Sequence, residues 1–193
     1  DLSGYALVVV PCLPIVPDVL AVSLEAFEGE LIIGPRTGSR TVDFRIPDEL
    51  PPGPLQTQLP LKVTRSESLR PGLEHQGDGW AIVRWFDHVE TDMHAELVAD
   101  DGAVASWKND TTRYLATWPQ GAVLDEVVRR ATDDAGLATV DIPEGLRVRR
   151  SANYTFVFNY AAAAREVPAS ISGEPLVGSR ELKPASFAVF AGN

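Results

Sequence analysis

The segment of residues 30–56, ELIIGPRTGSRTVDFRIPDELPPGPLQ, constrains the fold more than any other part of this chain. Its apolar run, residues 31–33, stops at Gly34 and Pro35, and a long polar segment interrupted by prolines follows. An apolar run that is closed by glycine and proline is typical of a buried parallel strand ending at a loop. In open α/β sheets such a loop lies at the carboxyl edge, where ligands and nucleophiles usually sit. Residues 34–39 contain no cysteine, no histidine and no G-x-S-x-G motif, and this composition argues against independent catalysis.

A second apolar run, residues 5–10 (YALVVV), predicts another buried strand upstream. Between the two strands, a helix is predicted to begin at Asp18 as its N-cap and to close at Gly29 as its C′ residue. Three apolar residues at helical spacing form its buried face: Leu20, Leu24 and Phe27. A strand, a helix and a strand in about thirty residues make a βαβ unit, so we predict a parallel sheet.

Residues 40–60 show no helical or strand periodicity and are repeatedly interrupted by proline and glycine. Loops of this length are usually functional, interfacial or disordered. Four apolar side chains are spread along the segment: Val42, Phe44, Ile46 and Leu50. Because these side chains can anchor the loop on another surface, we favour an interface over disorder.

The pattern then changes to short alternating runs, which predict strands at residues 62–67, 80–85, 95–99, 104–107 and 113–118. Asp101-Gly102, between two of these runs, is a strong hairpin signal. An amphipathic helix closed by Gly136 follows at residues 123–135. A domain boundary is predicted at residues 141–145, and three more strands are predicted beyond it, at residues 146–149, 154–159 and 187–190. The four alanines of residues 161–164 are too few to form a helix. We therefore predict two domains, residues 1–142 and residues 143–193.

The formal net charge of −10 and the single cysteine exclude several classes of protein. The negative charge disfavours nucleic acid and anionic membranes as partners. No apolar run approaches the ~18 residues of a membrane span, and the N-terminus lacks the basic region of a signal peptide. Cys12 alone forms no internal disulfide and suits a reducing compartment, so we expect a cytoplasmic protein. Because no initiator methionine precedes the strand at residue 5, we expect a processed chain or a domain cut from a larger protein.

Four segments together resemble one known family: DLSGYALVVVP, LEAF followed by LIIGPRTGS, DFRIPDELPPGPLQ, and PEGLRVRRSANYTFVFNY. They are similar to the C-terminal half of the family 42 glycoside hydrolases, which are β-galactosidases. The resemblance covers nearly the whole chain. Its most specific parts are GPRTGSRTVDF with PPGPLQ, and the segments GLRVRR, FVFNY and SFAVF near the C-terminus.

The resemblance implies an α/β fold, with a flavodoxin-like or class I glutamine-amidotransferase-like parallel sheet followed by a small antiparallel β domain. In this family the sheet domain makes the trimer, and an N-terminal (β/α)8 barrel carries both catalytic glutamates. The barrel and the opening strand and helix of the sheet domain have no counterpart here, so we expect an N-terminally truncated sheet domain without catalysis. The connection at residues 28–30 also looks shorter than is usual in the family. By the same resemblance, the nucleophilic cysteine of amidotransferases falls near Pro35, which carries no nucleophile.

Several other residues invite a chemical role, but a structural role is expected for each. Cys12 would need a histidine base within hydrogen-bond reach, and no spacing ties His75, His88 or His94 to it. We expect Cys12 to be a small, mostly buried residue at a strand end. The acidic and histidine residues of segment 87–94, DHVETDMH, match no zinc pattern, and a solvated turn between strands is expected there.

The remaining candidates are aromatic residues and one arginine. The four tryptophans are expected to fill a core or an interface rather than stack on sugars: Trp80, Trp85, Trp107 and Trp118. Arg36, flanked by Gly34 and Gly38, suits a pair with a carboxylate or a bound anion, and a structural pair with an acidic residue such as Asp43 is expected. The sequence thus nominates no catalytic, cofactor-binding or metal-ligating residue, and no cofactor.

We therefore predict a non-catalytic oligomerisation and support region of a β-galactosidase. Its partners would be its own copies, as a trimer in the parent enzyme and as a dimer or trimer of this chain, and the parent's catalytic barrel. The alternatives are a free-standing amidotransferase-like hydrolase that uses Cys12 and a carbohydrate-binding module that uses the tryptophans. Residues 5–10 are expected to form an unpaired sheet edge. Gly38 is expected to adopt backbone angles that are costly for other residues, and Gly34 is the second candidate for such angles.

Overall fold

A computed structural model describes residues 2–192 of the chain. Its contacts divide the chain into two compact units, Asp1–Ala138 and Thr139–Asn193, and each is described by itself. The elements of the first unit are β1 (Leu7–Val10), α1 (Asp18–Glu25), β2 (Glu30–Ile33), a 3₁₀ turn (Gly53–Leu55), β3 (Leu61–Ser68), β4 (His75–Gln76), β5 (Ala81–Ile82), β6 (Trp85–Thr91), β7 (His94–Val98), β8 (Val104–Asn109), β9 (Thr112–Leu115) and α2 (Gly121–Asp134).

The first unit is built on a five-stranded sheet in the order β1-β2-β9-β8-β7. Strands β1, β2 and β9 are parallel to one another. Strand β8 runs antiparallel to β9, and β7 runs antiparallel to β8. All four residues of β2 are buried because the strand lies inside the sheet, which explains its continuous apolar sequence. The predicted βαβ unit is confirmed, and β1 lies at the sheet edge, as expected for residues 5–10.

Helix α1 differs from its predicted ends. Pro17 occupies the N-cap position and Asp18 is the first helical residue. The helix is capped by Ala26, so the predicted role of Gly29 as its C′ residue is wrong. A side-chain carbon at Gly29 would lie 2.5 Å from the ring of Phe27 and 2.7 Å from the carbonyl oxygen of Ala6. Gly29 is therefore required by the close approach of the chain as it enters β2.

Helix α2 closes the core of the first unit as the spacing predicts. Its buried face carries Val123, Val127 and Ala131, which join the same apolar cluster as Ile32 of β2. The chain leaves the helix through Gly136, which adopts the left-handed conformation at φ 64°. The predicted hairpin at Asp101-Gly102 is confirmed between β7 and β8.

One predicted strand is wrong. In place of a strand at residues 80–85, the structure has the two-residue strand β5, and Arg84 then turns the chain at φ 64°. The long strand β6 begins only at Trp85 and pairs with β3 in an antiparallel ribbon of its own. A residue with positive φ interrupts the extended backbone that a strand requires, so the pairing of β6 with β3 starts after Arg84.

The second unit is antiparallel. Its strands are β10 (Leu146–Ser151), β11 (Tyr154–Asn159), β12 (Arg165–Glu166), β13 (Glu181–Leu182) and β14 (Phe187–Ala191). One sheet has the order β10-β11-β14, and β12 pairs with β13. Residues 161–164 form no helix, because Asn159 Nδ2 donates hydrogen bonds of 2.9 to 3.0 Å to the carbonyl oxygens of Ala163, Leu182 and Lys183 and holds that segment as a loop.

No helix among residues 2–192 has the length and apolar character that crossing a membrane requires.

Candidate functional site

The turn that follows β2, residues 34–39, is fixed to the loop after β1. Gly34 N–H donates to the carbonyl of Val10 over 2.8 Å, and Gly38 N–H donates to the carbonyl of Leu13 over 3.0 Å. The buried Thr37 hydroxyl donates to the Gly34 carbonyl over 2.9 Å and accepts from Leu13 N–H over 3.2 Å. This hydroxyl is therefore held by the backbone on both sides, and it packs the turn rather than serving as a nucleophile.

Two residues of the turn have left-handed backbone angles. Gly38 has φ 69°, as expected, whereas Gly34 does not have positive φ. A side-chain carbon on Gly34 would instead overlap the carbonyl of Pro11. The second left-handed residue is Arg36, at φ 64°, an angle that costs energy for a residue with a side chain. The bend that the sequence predicts near Pro35 is present, with a buried proline and a strained arginine at its tip.

Arg36 does not make the expected pair with Asp43. Its guanidinium carbon lies 5.5 Å from the ring centroid of Trp85, a cation–π contact. None of the ion pairs found among residues 2–192 includes Arg36 or Asp43. The prediction is wrong because residues 41–45 close on themselves in a turn, and Trp85 at the start of β6 takes the place beside the guanidinium.

A cavity of about 220 Å³ opens beside this contact. Its apolar wall comes from Ile46, Leu50, Val63 and the ring of Trp85, and Arg36 and Arg40 are among its polar residues. It lies at the carboxyl end of the parallel strands, the edge at which α/β sheets place their sites.

Asp87 is the buried carboxylate of the cavity, at 2% exposure. It accepts hydrogen bonds from Ser66 Oγ at 2.6 Å, Trp85 Nε1 at 2.8 Å and Tyr114 Oη at 2.8 Å. Burial raises the pKa of Asp87, and the three hydrogen bonds counter part of that rise. With both oxygens occupied, the carboxylate ties β3, β6 and β9 together, which is a structural role.

The expected solvated turn at residues 87–94 is wrong for most of that segment. Asp87, His88 and Glu90 lie on strand β6, and the turn is confined to the residues between Thr91 and His94. His88 Nε2 lies 2.7 Å from Glu67 and 2.9 Å from Arg65 on the paired strand. Partial burial, followed by the charge of Arg65, lowers the pKa of His88.

The other candidate residues are not brought together. Cys12 is half-buried, and no hydrogen bond in the described part of the chain joins it to a histidine. His75 instead pairs with Asp101 at 2.6 Å. Residues 2–192 contain no group of three or more His, Cys, Asp and Glu side chains that would hold a metal ion.

The tryptophans are all partly buried. Trp80 and Trp107 pack against the main apolar cluster, as expected, and Trp85 lies under Arg36.

The exposed part of this edge carries apolar side chains interspersed with charged ones. The four side chains singled out in the 40–60 loop remain in solvent: Val42 at 78% exposure, Phe44 at 69%, Ile46 at 78% and Leu50 at 46%. The loop is nevertheless tightly bonded, because Phe44 N–H donates to the Thr41 carbonyl and Thr41 N–H donates to the Arg45 carbonyl, both over 2.9 Å. A rigid loop that exposes several apolar side chains is typical of an interaction surface.

A buried charge network at the opposite ends of the strands was not predicted. Arg113, at 1% exposure, pairs with Glu30 and with Asp134, and its Nε lies 3.0 Å from Glu96. Lys108 joins the network through Asp134 at 2.6 Å. The one signal in the sequence is an arginine in a short apolar strand, because such a residue can be buried only with partners.

The network makes the stability of the first unit pH-dependent. Hydrogen bonds from Lys108 and Arg113 lower the pKa of Asp134 from 3.8 to about 2. Since the folded-state pKa is the lower one, this contribution is complete above pH 3.8 and is lost as the pH falls through 2. We expect the free energy of unfolding, measured by urea titration between pH 5 and pH 2, to fall more steeply in the wild type than in Asp134→Asn. Parallel curves for the two proteins would contradict this assignment.

Comparison with known proteins identifies both units. A family model described as the β-galactosidase trimerisation domain matches residues 1–138, and one described as the β-galactosidase C-terminal domain matches residues 145–191. A β-galactosidase of Thermus thermophilus is 42% identical over 194 residues, which cover 98% of this chain and 30% of that protein. The crystal structure of a β-galactosidase from the psychrophilic Marinomonas ef1 superposes with a TM-score of 0.88 at 30% identity and covers 100% of this chain and 30% of its own. A β-galactosidase of the Antarctic haloarchaeon Halorubrum lacusprofundi gives a TM-score of 0.85 at 28% identity, covering 100% of this chain and 32% of its own.

A mixed α/β sheet followed by a small antiparallel β domain defines the class of fold, and the solved structures that share it are β-galactosidases. The chain is a member of the family 42 glycoside hydrolases, the β-galactosidases, and comprises their trimerisation and C-terminal domains. The expected resemblance and the expected fold class, an α/β sheet followed by a small antiparallel domain, are confirmed. The chain spans 30% of the length of the Thermus relatives.

Proposed function

We propose that this chain is the non-catalytic self-association and support region of an enzyme that hydrolyses terminal β-D-galactosides. The observation that carries the proposal is the hydrogen-bonded loop with Val42, Phe44, Ile46 and Leu50 exposed, since several large apolar side chains exposed on one loop are typical of an interaction surface. The trimerisation domain matched by residues 1–138 favours another copy of the chain as that partner.

In the parent enzyme, the second partner is the catalytic barrel. The chain spans 30% of the length of its Thermus relatives. In a retaining glycosidase, the acid and the nucleophile must face each other about 5 Å apart across the sugar. We assign both of these carboxyl groups to the barrel and none of the reacting groups to this chain. The single thiol, Cys12, has no disulfide partner, and this favours the cytoplasm as the compartment.

Self-association is tested by the mass in solution. We expect light scattering at micromolar concentration to give about three times the chain mass of 20.9 kDa, or twice that mass if a dimer forms. A single species near 20.9 kDa that persists on concentration would refute the proposal.

The absence of catalysis is tested directly. We expect the purified chain to hydrolyse a chromogenic β-galactoside no faster than a buffer blank. The matched control is a full-length β-galactosidase of the family assayed in parallel, which shows that the substrate and conditions are competent. Turnover by the purified chain that follows its peak through size-exclusion chromatography and survives removal of any full-length contaminant would overturn the assignment.

A further inference from the structure

Phe44 is held as a rigid projection. It lies in the turn of residues 41–45, where Arg45 N–H also donates to the Thr41 hydroxyl over 3.1 Å. Its backbone adopts φ 64°, a left-handed angle that is costly for an aromatic residue, yet its side chain is 69% exposed. Strain that aims a large apolar side chain into solvent is unfavourable in the isolated chain, and such strain is found where function requires it.

The cavity beside Trp85 has the size and the lining to receive an aromatic ring. Its volume is about 220 Å³, and an apolar cavity of about 150 Å³ is large enough to bind benzene. Its walls include Ile46, Leu50 and Val63, and the Trp85 ring offers a face for aromatic contact. Phe44 does not line this cavity in its own chain, so each copy has both an unfilled cavity and an uncovered ring.

Charged side chains flank both the ring and the cavity. Asp43 precedes Phe44 and is exposed, and it takes part in no ion pair found within residues 2–192. The cavity is bordered by Arg36 and Arg40, which are also absent from the ion pairs of that range, and by the carboxyl groups of Glu49 and the buried Asp87. A ring that enters the cavity from outside brings its neighbouring carboxylate towards the two guanidinium groups, and such a pair gains strength as the contact excludes water.

We propose that Phe44 of one copy inserts into the Arg36–Trp85 cavity of the next copy, with Asp43 facing Arg36 and Arg40 across the contact. This inference rests on the proposed self-association and names its anchor. The phenyl group and the cavity are different surfaces of one copy, so the contact is heterologous. Three such contacts can close a cyclic trimer. The ion pair expected between Arg36 and Asp43 is then formed between chains rather than within one.

Two variants separate the halves of the contact. Phe44→Ala removes the ring and leaves the cavity, whereas Ser39→Trp fills the cavity and leaves the ring. Val19→Ala is the matched control, because Val19 is an apolar side chain of 80% exposure on α1. Far-UV circular dichroism checks that each full-length chain is folded.

We expect Phe44→Ala and Ser39→Trp each to raise the dissociation constant roughly 30-fold or more, the effect of losing a buried aromatic anchor, while Val19→Ala leaves it unchanged. An equimolar mixture of the two variants retains one intact ring and one intact cavity. It should therefore form a one-to-one dimer, of twice 20.9 kDa, at concentrations where each variant alone is monomeric. Sedimentation velocity measures all of these masses.

The outcomes are distinguishable. A wild-type oligomer whose mass is unaffected by Phe44→Ala would overturn the anchor and leave self-association standing. A variant mixture that stays monomeric, although both variants are folded and the wild type associates, would also overturn the anchor. A monomeric wild type would overturn both the anchor and the proposed function.

Discussion

We expect Arg113→Met to lower the free energy of unfolding by about 3–5 kcal/mol, because removing one partner of a buried ion pair leaves uncompensated charge in the core. Arg113 is 1% exposed, and the side chains of Glu30 and Glu96 that it pairs with are 8% and 7% exposed. Methionine fills much of the same volume, so the loss reports on charge rather than on a cavity. Urea denaturation at pH 7, followed by tryptophan fluorescence, measures the change.

A matched control uses the exposed arginine of helix α2. Arg129 pairs with Glu126 and Asp133, but its side chain is 55% exposed, so Arg129→Met should cost less than about 1 kcal/mol. Combining Arg113→Met with Glu30→Gln and Glu96→Gln removes the two carboxylate charges that Arg113→Met leaves unpaired. The triple variant should therefore recover part of the lost free energy of unfolding. A loss below 1 kcal/mol for Arg113→Met alone would show that the network does not stabilise the first unit.

The sequence predicts the elements that depend on local patterns. The apolar runs of β1 and β2 identify the parallel strands, because strands buried on both faces need continuous apolar sequence. The hairpin at Asp101-Gly102 is predicted because Gly102 can adopt its φ of 89° without steric cost. The irregular loop of residues 40–50 is also predicted, since proline disfavours regular structure.

The features that the sequence does not predict all depend on the register of distant segments. Glu30, Glu96, Arg113 and Asp134 lie on four different elements, and no spacing along the chain brings them together. The contact of Arg36 with Trp85 joins the turn after β2 to the start of β6 in the same way. The prediction for Asp87 failed for a related reason, because its partners Ser66 and Tyr114 come from other strands.

Gly38→Ala is the second substitution for which we expect a large effect. Gly38 has φ 69°, a conformation that costs about 1–2 kcal/mol for an L-residue with a side chain. An added methyl group would also overlap the carbonyl of Pro52, so the backbone must shift, which costs a further ~1–3 kcal/mol. The expected loss in the free energy of unfolding is the sum of these, about 2–5 kcal/mol.

Gly102→Ala separates the two contributions to that loss. Gly102 also has positive φ, at 89°, but no atom lies within 4 Å of an added side-chain carbon, so only the conformational cost applies. Gly38 contacts Pro52 and thereby fixes both ends of the loop that carries Phe44, whereas Gly102 lies in the hairpin between β7 and β8. Gly38→Ala should therefore weaken self-association as well as stability, and Gly102→Ala should leave the mass in solution unchanged. Equal melting temperatures for the two variants would mean that the carbonyl of Pro52 moves away at no cost, and that the turn after β2 does not position the exposed loop.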